Sequence, residues 1–114
     1  MIKIIDDLFL TEDARFDLLR IKWEILNPKK NSPYCVITLS KHTDDVFDII
    51  PVSNFKTASE KLEDIIIIGL AEDTDDGIKL CSEMTAMYVE ANSNLTLREY
   101  FSDIIDNSTI KILQ

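Results

Sequence analysis

Four consecutive isoleucines, Ile65-Ile66-Ile67-Ile68, constrain this chain more than any other feature. A β-branched side chain is stiff at χ1 and packs well on a pleated surface, so the run predicts a strand. Successive strand residues point to opposite faces. A strand with no polar alternation must therefore be covered on both faces, by its own chain or by a partner. With Gly69 and Leu70 the run stays far short of the roughly 20 apolar residues that span a bilayer.

The rest of the chain supplies elements to cover it. The 114 residues suit one domain, 1–114, and 46% of them are hydrophobic. Residues 2–5 form a short β-like run that Asp6-Asp7 and Thr11-Glu12-Asp13 interrupt. In residues 17–26, Leu19, Ile21, Trp23 and Ile25 alternate with Arg20, Lys22 and Glu24. That period of two predicts a strand with one solvated, charged face. Residues 27–33 carry two prolines with Asn and Ser and read as a turn. Strands are expected at 34–40 and 46–52, the latter with Pro51 marking an edge or an end. These three strands read as a meander.

Helix signals follow. Thr57 and Glu60 have capping-box spacing for a short helix to about residue 63. Thr74 is placed to cap a long helix over 75–91. Its apolar arc is broad: Ile78, Leu80, Cys81, Met84, Met87, Tyr88, Val89 and Ala91, with Thr85, lie opposite Asp76, Lys79, Glu83 and Glu90. Such breadth predicts a second packing neighbour. Thr96 caps 97–106, and residues 109–113 can add a strand. The expected fold is α+β, an antiparallel sheet of about four to five strands with two C-terminal helices packed on one face.

Charge is the other outlier: 21 acidic residues against 12 basic, net −9. That opposes direct binding to nucleic acid or to an anionic membrane, whose phosphates would be repelled. It suits a basic protein surface, and it also serves solubility. The N-terminal residues lack a basic region followed by an apolar stretch, so the cytoplasm is the expected compartment. Cys35 and Cys81 lie in apolar segments and read as reduced, buried thiols.

No catalytic set emerges. His42, the one histidine, lies in a polar turn beside Asp44 and Asp45, where neighbours rarely converge on a pocket. Residues 72–83 match a calcium loop at Gly77 and Glu83. They fail it at Glu72, Ile78 and Lys79. A helix N-terminus explains the carboxylates more simply. No catalytic residue, metal or cofactor is therefore expected. What remains is distributed charge. Asp44, Asp45 and Asp48 form one group, and Glu60, Glu63 and Asp64 a second. Glu72, Asp73, Asp75 and Asp76 form a third, which Glu83 and Glu90 extend along a helix.

The stretch 64–101, a strand, an acidic cap, a long helix and the closing Leu97-Arg98-Glu99-Tyr100-Phe101, resembles small acidic orphan proteins of bacterial phages and mobile elements. That class includes anti-CRISPR proteins. The resemblance implies a non-catalytic inhibitor that engages a basic, nucleic-acid-handling protein. The expected contact residues are Asp44, Asp45, Asp48, Glu72, Asp73, Asp75, Asp76, Glu83 and Glu90. Two other roles suit the same surface. One is an immunity or antitoxin-like protein that neutralises a toxin. The other is a homo-oligomeric accessory domain using the helix stripe and the isoleucine run.

Overall fold

The computed structural model describes residues 1–41, 45–55 and 65–114. Five strands form one mixed sheet in the order β3-β2-β4-β1-β5: β1 (Ile2–Leu10), β2 (Cys35–Leu39), β3 (Phe47–Pro51), β4 (Ile65–Ala71) and β5 (Ile110–Ile112). Among the described residues only β1 and β4 pair in parallel; the other three pairings are antiparallel. The fold is α+β. The capping box at Thr57 and Glu60, and His42, lie outside the described residues.

The isoleucine run sits in the middle of the sheet and is covered on both faces. Ile67 and Leu70 join a core with Ile4, Val36, Ile21 and Ile25. Ile68 faces the other way, into a core with Ile5, Ile37, Leu80, Met84 and Phe101. Helices α3 (Thr74–Ala91) and α4 (Leu97–Asp106), the two C-terminal helices, cover this second face. The first face is covered by α1 (Glu12–Phe16) and α2 (Leu18–Leu26).

That first cover corrects the sequence expectation. Residues 18–26 form helix α2, with Asp17 as its N-cap, not a strand with one wet face. Spacing by four satisfies both periods, so the alternation was ambiguous. In a strand, Leu19, Ile21, Trp23 and Ile25 would share one face. In the helix they split into two i,i+4 pairs. Ile21 and Ile25 are fully buried, whereas Leu19 and Trp23 are 82% and 53% exposed. Glu24, expected on a solvated face, is buried and bonded to Arg20 at 3.2 Å. The meander thus reduces to the β2–β3 hairpin. Its Pro51 ends the edge strand β3, where no ladder donor is lost.

Strand β1 is also longer than expected, running through Asp6-Asp7 to Leu10. It does so by an irregularity. Ile4 pairs with Ile67 and Phe9 with Gly69, so residues 5–8 of β1 lie against Ile68 alone. The backbone N–H of Asp6 turns to Thr109 instead, at 2.9 Å.

Helix α3 begins one residue earlier than its expected cap. Asp73 is the N-cap, accepting from the Asp76 N–H at 2.8 Å, and Thr74 is the first helical residue. The helix ends at Ala91, with Asn92 in the left-handed conformation, φ 49°. Its apolar arc has the expected second neighbour: Tyr88 meets Tyr100 of α4 edge-on, with ring centroids 5.4 Å apart. Ile78 and Val89 lie outside that packing, more than half exposed. Thr96 and Glu99 form a capping box that starts α4. Phe101 of α4 is fully buried and meets Phe9, Phe47 and Tyr100 edge-on.

Gly77 lets α3 lie against the sheet. A Cβ there would stand 2.7 Å from the Cys35 sulfur and 3.2 Å from Ile49 Cγ2. The Cys35 thiol cannot swing away cheaply, because it donates to the Asp73 carbonyl at 3.2 Å. Overpacking costs about 1–3 kcal/mol, and the helix propensity gained by alanine returns about 1 kcal/mol. Gly77→Ala is therefore expected to destabilise the protein in urea unfolding. In a Cys35→Ala background the same substitution should become nearly neutral. An equal cost in both backgrounds would show that the thiol contact is not the cause.

Candidate functional site

The sheet topology brings two acidic segments together that sequence keeps far apart. Strands β1 and β4 run parallel and in register at their ends, with Leu10 opposite Leu70. Each is followed at once by a helix. Two helix N-termini therefore open side by side at one end of the sheet.

Each terminus is capped by its own sequence. The Thr11 hydroxyl accepts from the Ala14 N–H at 3.2 Å to start α1. The Asp73 carboxylate does the same for α3. The two caps are also joined, since the Thr11 hydroxyl donates to the Glu72 carboxylate. First-turn carboxylates then follow on both helices: Glu12 and Asp13 on α1, Asp75 and Asp76 on α3. The positive end of a helix favours such charges, which is the local reason they are tolerated here.

Between the termini lies an open hollow of about 450 Å³. Glu12, Asp13, Glu72, Asp76 and Glu83 line it, and Lys79 is the one cation in its lining among the described residues. Lys79 reaches Asp76 at 3.7 Å. Crowding shows in the titration of Asp76. A side-chain hydrogen bond shared with Glu72 raises its pKa above the usual aspartate range. Partial desolvation and the Glu72 charge add to the rise, while Lys79 and the bond to Asp73 oppose it.

The anticipated contact residues divide accordingly. Glu72, Asp73, Asp75, Asp76 and Glu83 come together at this end of the sheet. Glu90 shares their helix face but lies fourteen residues beyond Asp76, roughly 20 Å along α3 at 1.5 Å per residue. Asp45 sits at another hollow with Phe47, Ile78 and Leu97, and its carbonyl accepts from Arg98. Asp48, opposite Thr38 on β3, has the parity of Ile50, which packs on the α2 side of the sheet. It also lines a hollow with Ser102, Ile105 and Asp106 of α4, separate from the acidic one. Asp44, Glu60, Glu63 and Asp64 lie outside the described residues.

Glu12 and Asp13 belong to the site and were not among the expected contacts. Their signal was the Thr11 cap ahead of two acidic residues, a helix-start pattern that reading 17–26 as a strand obscured.

The thiols are poorly placed for nucleophilic chemistry. Burial pushes Cys35 up to about 12, with Asp73 adding to it, and Cys81 up to about 11. Neither forms appreciable thiolate at neutral pH. Among the described residues, no three His, Cys, Asp or Glu side chains are grouped to hold a metal ion. No described helix is long and apolar enough to cross a membrane. In comparison with known proteins, the chain matches no family model, no curated protein and no solved structure.

The Asp76 shift carries a sign. Its carboxyl holds a proton to higher pH in the folded chain than the reference value of 3.8. Between those two values the folded state binds more protons, so stability falls as pH rises through that window. Asp76→Asn removes the repelling charge and keeps a donor for Glu72. It is expected to raise the melting temperature at pH 7. The gain should vanish below about pH 4, where the aspartate itself is protonated. Thermal melts across that range check it, and a gain that persists in acid would refute the charge origin.

Proposed function

We propose that this protein is a non-catalytic binding module whose acidic end docks on the basic surface of a nucleic-acid-handling protein, in the manner of an anti-CRISPR inhibitor. One observation carries the reading. Carboxylates from two remote segments converge where β1 and β4 end, although the convergence costs electrostatic repulsion. Five line one hollow, with Asp73 and Asp75 beside it and one lysine among them.

Such a surface offers a basic groove what a phosphate backbone offers it: closely spaced negative charge on a rigid frame. Charge complementarity of this kind governs partner choice and association rate more than raw affinity. The frame is fixed by the helices: Glu12, Asp13, Asp75 and Asp76 stand on first turns, Glu83 on the body of α3, and Asp73 caps it. Binding would be salt-sensitive, since exposed charges are screened beyond roughly 10 Å at 0.1 M salt.

The test separates charge from fold. Glu72 and Asp73 hold the two caps and should be left alone. Glu12, Asp13, Asp75 and Glu83 reach solvent without a structural bond of that kind. Reversal to Lys forfeits the first-turn preference at the first three, so the circular dichroism spectrum of the variant checks that its fold is kept. Affinity capture with the wild-type chain is expected to retain a basic nucleic-acid-binding protein. Duplex DNA should displace that protein, and the fourfold reversed variant should fail to retain it. Equal retention by the variant would overturn the acidic mechanism.

A further inference from the structure

The strongest surface feature outside the acidic end is on the outer face of α1 and α2. Phe16 and Leu19 are each 82% exposed and Trp23 is 53% exposed. Leu19 and Trp23 recur at i, i+4 on the outer face of α2, and Phe16, the last residue of α1, precedes them across the Asp17 junction. The stripe lies opposite Ala14, Ile21 and Ile25, which are fully buried in the core. The core therefore makes no use of it, and the side-chain contact it does make is that of Lys29 with the Trp23 ring. At about 150–250 Å² per aromatic side chain, the three make a patch on the order of 300–400 Å². That is the size of the largest apolar patch on a typical monomer, often a functional one.

Charge around the stripe decides its partner. Residues 15–30 hold Arg15, Arg20, Lys22, Lys29 and Lys30 against Asp17 and Glu24, a net of +3. With the whole chain at −9, everything else amounts to −12. Arg20, bonded to Glu24 but with its side chain largely exposed, flanks Trp23 on one side, while Arg15 and Lys22 lie on the other and also line a hollow with Asp6 and Asp7. Lys29 lies over the Trp23 ring, 5.4 Å from its centroid.

We infer that this face is a second docking site, and that its occupant is an acidic amphipathic segment of another protein, with apolar anchors for Phe16, Leu19 and Trp23. Tryptophan and arginine are the residues that most often dominate interface energetics. A second copy of the chain fits poorly, because symmetric pairing would set Arg20 and Lys29 of one copy against the same cations of the other. An anionic membrane also fits poorly. Glu12 and Asp13 lie within about a turn of Phe16 and would be pressed against the lipid phosphates, whereas a peptide can end short of them. This site lies beyond the function proposed above and does not depend on it.

Trp23 is the only tryptophan, so its fluorescence reads the site directly. The probes are a synthetic amphipathic peptide with leucines on one face and glutamates on its flanks, the same peptide with lysines for glutamates, and phosphatidylglycerol vesicles. A saturable blue shift is expected with the glutamate peptide alone. Leu19→Ser and the pair Lys22→Glu with Lys29→Glu should each weaken it roughly tenfold or more. Leu19 is exposed, whereas Lys29→Glu also removes the cation over the Trp23 ring, so the unbound spectrum of each variant is the baseline for its own titration. No shift with the glutamate peptide, or an equal shift with the lysine peptide, overturns the inference. So does a shift with vesicles, or one that grows with the concentration of the chain alone. Asp75→Lys and Glu83→Lys disable the acidic end and should leave this titration in place, so the two readings fail separately.

Discussion

Burial of β4 on both faces is the constraint from which the other elements follow. Its isoleucines alternate between two cores, and each core needs a separate pair of helices. One face takes α3 and α4, from the chain that follows β4. The other takes α1 and α2, from the chain that follows β1. Strand β1 can lie parallel to β4 because a long connection separates them, as parallel pairing requires. Once the two strands run in the same direction, their following helices must begin at the same end of the sheet. The joined caps, Thr11 to Glu72, are the local consequence.

That geometry also sorts the charge. Helix first turns favour carboxylates, and this fold places two such turns together, so an acidic end arises from two locally favourable choices. The cost appears where the two sets meet, in the raised pKa of Asp76. The basic residues of α1, α2 and the turn after them frame the outward stripe on the same helices. A net charge of −9 thus averages two unlike surfaces, and the average describes neither.

How legible this was depends on the range of the physics involved. The β4 run, both C-terminal helices, the Thr96 cap and the β2–β3 hairpin followed from local patterns: branching, capping and periodicity. Residues 17–26 did not, because apolar residues spaced by four fit a strand and a helix equally. Only the sheet decides, by presenting a core wide enough for Ile21 and Ile25 and leaving Leu19 and Trp23 outside. The error then spread to the site. With 17–26 taken as a strand, Thr11 had no helix to cap, and Glu12 and Asp13 had no reason to approach Glu72.

By itself, the sequence determined that a doubly covered central strand exists, that two capped helices follow it, and that the chain is strongly acidic. Those properties reside in neighbouring residues and need no tertiary partner. Tertiary structure alone decided which carboxylates meet, and that the remaining apolar residues of α1 and α2 face outward. Both depend on the parallel pairing of β1 with β4, a contact across some sixty residues that no local pattern encodes.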